Sequence, residues 1–129
     1  MKYLGIDFGG KRIGLAISDD NADFAFPLSV LPNSEKAAEQ ISEICKAKNV
    51  GAIVIGDSEN FKMEKNEIMK EVGPFVEKLQ KISGLPISFH PEFLTSREAE
   101  RLQGKNDMLD ASAAAIILKS FLEIKNNKI

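Results

Sequence analysis

The chain has 129 residues, 43% of them hydrophobic and 28% charged, which is globular composition and excludes a disordered or collagen-like chain. Its 17 Lys and Arg stand against 19 Asp and Glu, a formal charge of -2, so a polyanion has to be held by a local patch or through metal ions. One Cys and one His exclude an internal disulfide and a zinc site of several His or Cys ligands.

The start, MKYLGIDFGG, does not read as a signal peptide, and no apolar run reaches the roughly 18 residues of a spanning helix. A single domain over 1–129, at home in the cytoplasm and away from membranes, is the expectation. Tyr3–Asp7 reads as a first strand, and Ile13–Ser18 as a second after the Gly9-Gly10 turn, together a hairpin. A third candidate, Phe24–Leu31, contains Pro27, which demotes it to an edge strand or leaves only its second half paired. Ala37, Ile41, Ile44 and Cys45 then recur at helical spacing, with Ser34 as the expected cap.

Val50–Gly56 (VGAIVIG) is continuously apolar, the pattern of a strand covered on both faces. Ile68, Val72, Phe75, Val76, Leu79 and Ile82 form a second helical stripe, and Gly73-Pro74 inside it predicts a kink or break. Pro86–His90 is a short strand, Thr95–Leu102 a small helix, and Asp107 to about Lys125 a final helix whose alanines suit close packing on a sheet. The order β-β-β-α-β-α-β-α-α describes an α/β fold with antiparallel N-terminal strands and a parallel second half.

Four features carry possible chemistry. Asp7 ends an apolar strand, where open sheets present ligand sites, and acids are seldom buried unpaired; a turn-capping role is the alternative. Lys11 and Arg12 follow Gly9-Gly10, and this basic pair can hold a phosphate or simply solvate a hairpin turn. The glycine spacing does not match a P-loop. Asp107 and Asp110 are three apart on the last helix, where either can cap or complement the helix dipole, or face Asp7 across the sheet. Glu92 follows the strand Pro86–His90, while His90 itself reads as a surface or packing residue. Three acids at one sheet edge would make an oxygen-rich site for Mg²⁺ or Mn²⁺. Two such ions about 3.5–4 Å apart would relieve the repulsion among them and assist phosphodiester hydrolysis. Arg97 and Arg101, four apart on the small helix, are candidate backbone contacts unless they pair with Glu98 or Glu100.

The strings GIDFGGKRIGLAISD (Gly5–Asp19), VIG (Val54–Gly56), EFLTSREAE (Glu92–Glu100) and DASAAAIILKSFL (Asp110–Leu122) resemble the YqgF/RuvX family. These are small bacterial RNase H-like proteins linked to Holliday junction resolution and to maturation of the 5′ end of 16S ribosomal RNA. The resemblance implies an RNase H-like mixed sheet flanked by helices. It implies Asp7, Glu92 and Asp110 as catalytic, metal-binding acids, with Asp107 as a candidate fourth ligand, and two Mg²⁺ or Mn²⁺ ions bound with substrate. It implies Lys11, Arg12, Arg97 and Arg101 on nucleic acid.

Precursor rRNA, branched DNA and a ribosomal particle are the implied partners, for a monomer or a homodimer. Where the family reads DERLTS, this chain has Pro91-Glu92-Phe93-Leu94-Thr95-Ser96, losing an acid and an arginine. After VIG it has Asp57-Ser58-Glu59-Asn60 in place of a leucine-proline and a glycine-containing loop. These departures keep a non-catalytic binding module open as an alternative. An actin-like phosphotransferase shares the G-I-D-x-G start but needs a second such domain, which 129 residues do not supply.

Overall fold

The structure, a computed structural model, describes residues 1–56, 65–89 and 108–126, and within these the side chains of 1–56, 72–89 and 111–126. Five strands form one sheet in the order β3-β2-β1-β4-β5. They are β1 (Lys2–Phe8), β2 (Arg12–Ser18), β3 (Ala25–Pro32), β4 (Val50–Gly56) and β5 (Ile87–Phe89). β1 pairs antiparallel with β2 and parallel with β4; β2–β3 is antiparallel and β4–β5 parallel. The helices are α1 (Ala37–Ala47), α2 (Lys65–Ser83) and α3 (Met108–Asn126). This is the mixed sheet expected of an RNase H-like architecture. The small helix over Thr95–Leu102 lies outside the described residues.

Strand alternation sorts the core into two faces. Leu4 and Ile6 of β1, Ile13 and Leu15 of β2, and Ile53 and Ile55 of β4 pack with Ile41 and Cys45 of α1 and Val72 and Leu79 of α2. Tyr3, Ala16, Ala52 and Val54 turn to the opposite face and pack with Ala114, Ile117, Leu118 and Leu122 of α3. β4 thus meets helices on both sides, which is why its sequence is apolar without alternation.

The α3 face is built from small residues, and this sets a short helix–sheet distance. A Cβ on Gly5 would stand 2.7 Å from Leu118 Cβ and 3.0 Å from the Ala114 carbonyl oxygen. The Tyr3 and Phe121 rings meet at 5.6 Å one step along. At the C-terminal end of α3, the Asn126 side-chain amide donates to the Ala22 carbonyl at 2.9 Å, tying the helix to the β2–β3 turn.

β3 is the edge strand that Pro27 required, with a register shift opposite Leu15/Ala16 beside it. Two local expectations change. Ser34 does not cap α1 directly: the N-cap is Lys36, with no side-chain cap bond. Ser34 instead builds the preceding turn, its Oγ accepting from Lys36 N–H at 3.3 Å and its carbonyl from Ala37 N–H at 3.1 Å. Of the kink or break expected at Gly73-Pro74, the break does not occur; α2 runs from Lys65 to Ser83 through Pro74. Val72, Phe75, Val76 and Leu79 on both sides of the proline share one core, and their burial outweighs the local cost of about 3 kcal/mol.

Candidate functional site

Asp7 is the penultimate residue of β1 and is 5% exposed. It follows Tyr3 and Gly5 on the α3 face of the sheet. Its register partners are Gly14 of β2 and Gly56 of β4. In-register neighbours project from the same face, so neither adjacent strand sets a side chain beside the Asp7 carboxylate. Space lateral to a buried acid, at the C-terminal end of the central strand, is what a ligand of that acid needs. Asp7 and Arg12 both also take part in interactions within the protein.

The run of α3 relative to β1 brings a second acid position to the same end. Tyr3 meets Phe121, and Gly5 meets Leu118 and Ala114, so moving toward Asp7 moves back along the helix. Gly5 to Asp7 is about 7 Å of strand. One helical turn back from Ala114 is about 6 Å and reaches position 110. The backbone at 110 therefore lies toward the Asp7 end of the sheet. Ala111 and Ala114, which follow on that helix, are fully buried.

Of the three predicted acids, Asp7 alone has a described side chain. Position 110 has a described backbone; Glu92, Asp107, His90, Arg97 and Arg101 lie outside the described residues. Among the described residues no three His, Cys, Asp or Glu side chains come together. Cys45, the single cysteine, is buried on the opposite face with α1.

Lys11, on the β1–β2 turn, and Arg12, the first residue of β2, are exposed. The turn is held from a distance by Asn33. Its side-chain amide donates to the Gly9 carbonyl at 2.7 Å, and its backbone N–H donates to the Lys11 carbonyl at 2.9 Å. Gly10 adopts no positive φ, and a Cβ there would meet nothing within 4 Å. Beside the turn lies an open groove of about 570 Å³, lined by Lys11, Arg12 and Leu28–Pro32.

Three contributors escaped the sequence reading. Gly14 and Gly56 carried a usable signal, since an isolated glycine within a strand marks close approach. Asn33 carried none, because its partners lie 24 and 22 residues away and only the folded hairpin brings them together.

Residues 1–124 match the family model described as RuvX: Holliday junction resolvase. A protein described as "Putative pre-16S rRNA nuclease" from Maridesulfovibrio salexigens is 39% identical over 134 residues, covering 95% of this chain and 98% of that relative. A protein of the same description from Anaeromyxobacter sp. is 35% identical over 133 residues, covering 95% and 97%. Among solved structures, T. thermophilus RuvC in complex with Holliday junction substrate superposes with a TM-score of 0.60 at 18% identity, over 98% of this chain and 96% of that one. The fowlpox virus Holliday junction resolvase gives 0.54 at 11% identity, over 95% and 99%. These two likenesses show the shared fold.

Proposed function

Because this chain belongs to the RuvX family and shares its RNase H-like fold, we propose that it is a metal-dependent nuclease. Its reaction is phosphodiester hydrolysis in structured nucleic acid, and its first substrate is the 5′ end of precursor 16S rRNA. The observation that carries this reading is Asp7, a buried carboxylate at the C-terminal end of the central strand with glycine on either side.

The donor chemistry fits hard divalent cations. Asp7, Glu92 and Asp110 offer only carboxylate oxygen, which suits Mg²⁺ or Mn²⁺ and not a thiolate or imidazole metal. Divalent ions held there supply Lewis acidity and lower the pKa of water for in-line hydrolysis. The chain's own contribution is positional. β1 and α3 run two acid positions toward one end of the sheet, and the Asn33-braced turn carries Lys11 and Arg12 to that end, where they would hold a phosphate. Asp107 is a candidate fourth ligand, and Arg97 and Arg101 extend the basic surface. A cytoplasmic site of action accords with an rRNA precursor.

Precursor rRNA is placed ahead of branched DNA because the relatives above 30% identity carry the rRNA description over nearly their full length. The solved resolvases share the fold at 18% and 11% identity. The test is a cleavage panel of precursor rRNA, single strands, duplexes and four-way junctions in Mn²⁺, Mg²⁺ and chelator, for wild type and Asp7→Asn. The proposal expects metal-dependent products that fall at least about 100-fold in Asp7→Asn. Equal products from the two proteins reject the assigned chemistry. Binding without cleavage of any substrate makes the chain a non-catalytic module.

A further inference from the structure

We propose that the groove along β3 is a second nucleic-acid subsite, which seats the phosphodiester backbone of a strand leaving the Asp7 site, and that Asn33 is the positioning residue that holds its basic wall. This rests on the nuclease reading above and adds the route of the strand.

The groove has two walls of different chemistry. One is the Lys11–Arg12 turn; the other is Leu28–Pro32, the second half of β3, which carries no charge. The lining therefore holds two cations and no anion, in a chain whose overall charge is -2. That local imbalance selects a polyanion and leaves room for the apolar edges of sugars and bases over Val30 and Pro32, which pair with Gly14 and Arg12.

Register connects the groove to the acid. Asp7 pairs with Gly14, and Gly14 with Val30. Two inter-strand steps are about 10 Å, so the groove begins within one or two nucleotides of the carboxylate. Arg12 pairs with Pro32, about 7 Å further toward the turn. A strand crossing from Asp7 over Gly14 meets no side chain from the β2 position in that row before it reaches Val30.

Asn33 joins the two walls. It follows Pro32 directly in the chain, and it hydrogen-bonds the Gly9 and Lys11 carbonyls at 2.7 and 2.9 Å. The width of the groove at its basic end is set by these two bonds. A braced turn presents its cations without losing further backbone freedom on binding, which is the advantage of preorganisation. Gly10 agrees with this role: neither its φ nor its packing demands glycine, and its absent Cβ leaves the turn open to close approach by another backbone.

The experiment measures anisotropy of a fluorescein-labelled single-stranded RNA oligonucleotide in Ca²⁺ at low salt, with each variant's thermal midpoint as the folding control. Val30, half-buried in the uncharged wall and paired with Gly14 in the Asp7 row, is the probe position. Val30→Lys tightens binding and Val30→Glu weakens it, each about fivefold, the effect of one charge a few ångströms from phosphate in water. Both effects shrink as salt rises. Glu43→Gln, on the exposed side of α1, changes neither. Asn33→Ala weakens binding about three- to fivefold in wild type and by less once Lys11 is alanine, a coupling that a merely structural asparagine would not show.

If both Val30 variants bind within a factor of about 1.5 of wild type while Lys11→Ala is impaired, the strand takes another route and the groove proposal falls alone. If Lys11→Ala is silent, the groove proposal falls while the nuclease reading stands on the Asp7→Asn comparison; if wild type binds no oligonucleotide, both fall.

Discussion

Gly5→Ala tests whether the closeness of α3 to β1 positions the chemistry. The new Cβ would stand 2.7 Å from Leu118 Cβ and 3.0 Å from the Ala114 carbonyl oxygen. Carbon atoms in contact prefer about 3.5–4.0 Å, so the helix has to retreat by about 1 Å. Trimming Leu118 to alanine gives no relief, because the contacts are its Cβ and a backbone oxygen. Overpacking of this kind costs about 1–3 kcal/mol. Position 110 rides on the same helix, and a displacement of about 1 Å at a reacting centre can cost about 100-fold in rate. Urea unfolding with an unchanged m-value reads the first effect, and cleavage of precursor rRNA by the folded variant reads the second. A stability loss below about 0.5 kcal/mol would refute the close-packing argument. A destabilised variant that cleaves at the wild-type rate would refute the claim that α3 carries part of the site.

Gly10→Ala leaves stability within about 0.5 kcal/mol, because no atom lies near the added methyl, and weakens oligonucleotide binding; loss of stability without loss of binding would reverse the reading of this glycine. Pro74→Ala restores an N–H to the interior of α2 and raises stability by about 1–2 kcal/mol after the loss of proline's benefit in the unfolded chain; denaturant titration showing destabilisation contradicts the view that α2 tolerates Pro74 only through its packing. Burial pushes the Cys45 thiol up to about 11. As pH rises the unfolded thiol ionises first, so stability is full below about 9, falls toward about 11 by about 2–3 kcal/mol, and then levels. Cys45→Ala removes that part of the slope, and an unchanged alkaline profile in the variant rejects the assignment.

Much of this architecture is legible in the residues because local pattern and tertiary burial agree. Leu4 and Ile6 alternate with Tyr3 and Gly5, and each pair finds its own face. VGAIVIG has no polar position because helices lie on both sides of β4. Pro27 marks the edge strand by the N–H it lacks. What escapes is what depends on distant neighbours. Pro74 reads locally as a helix breaker, and only the core shared by Val72 and Leu79 overrides it. Ser34 has the chemistry of a cap, yet spends it on the turn before α1.

The site divides the same way. Asp7 stands out in sequence as an acid at the end of an apolar strand. Its glycine flanks become meaningful only through the registers of β1 with β2 and β4. Asn33 becomes visible only when β3 returns the chain to the hairpin turn.

The central claim is that Asp7, Glu92 and Asp110 share divalent cations. Anomalous scattering from a crystal of the wild-type protein soaked in Mn²⁺ addresses it directly. Manganese density within coordination distance of all three carboxylates, lost in Asp7→Asn, is the expected result. Saturating Mn²⁺ that leaves these acids without density, or occupies a site elsewhere on the chain, contradicts the account.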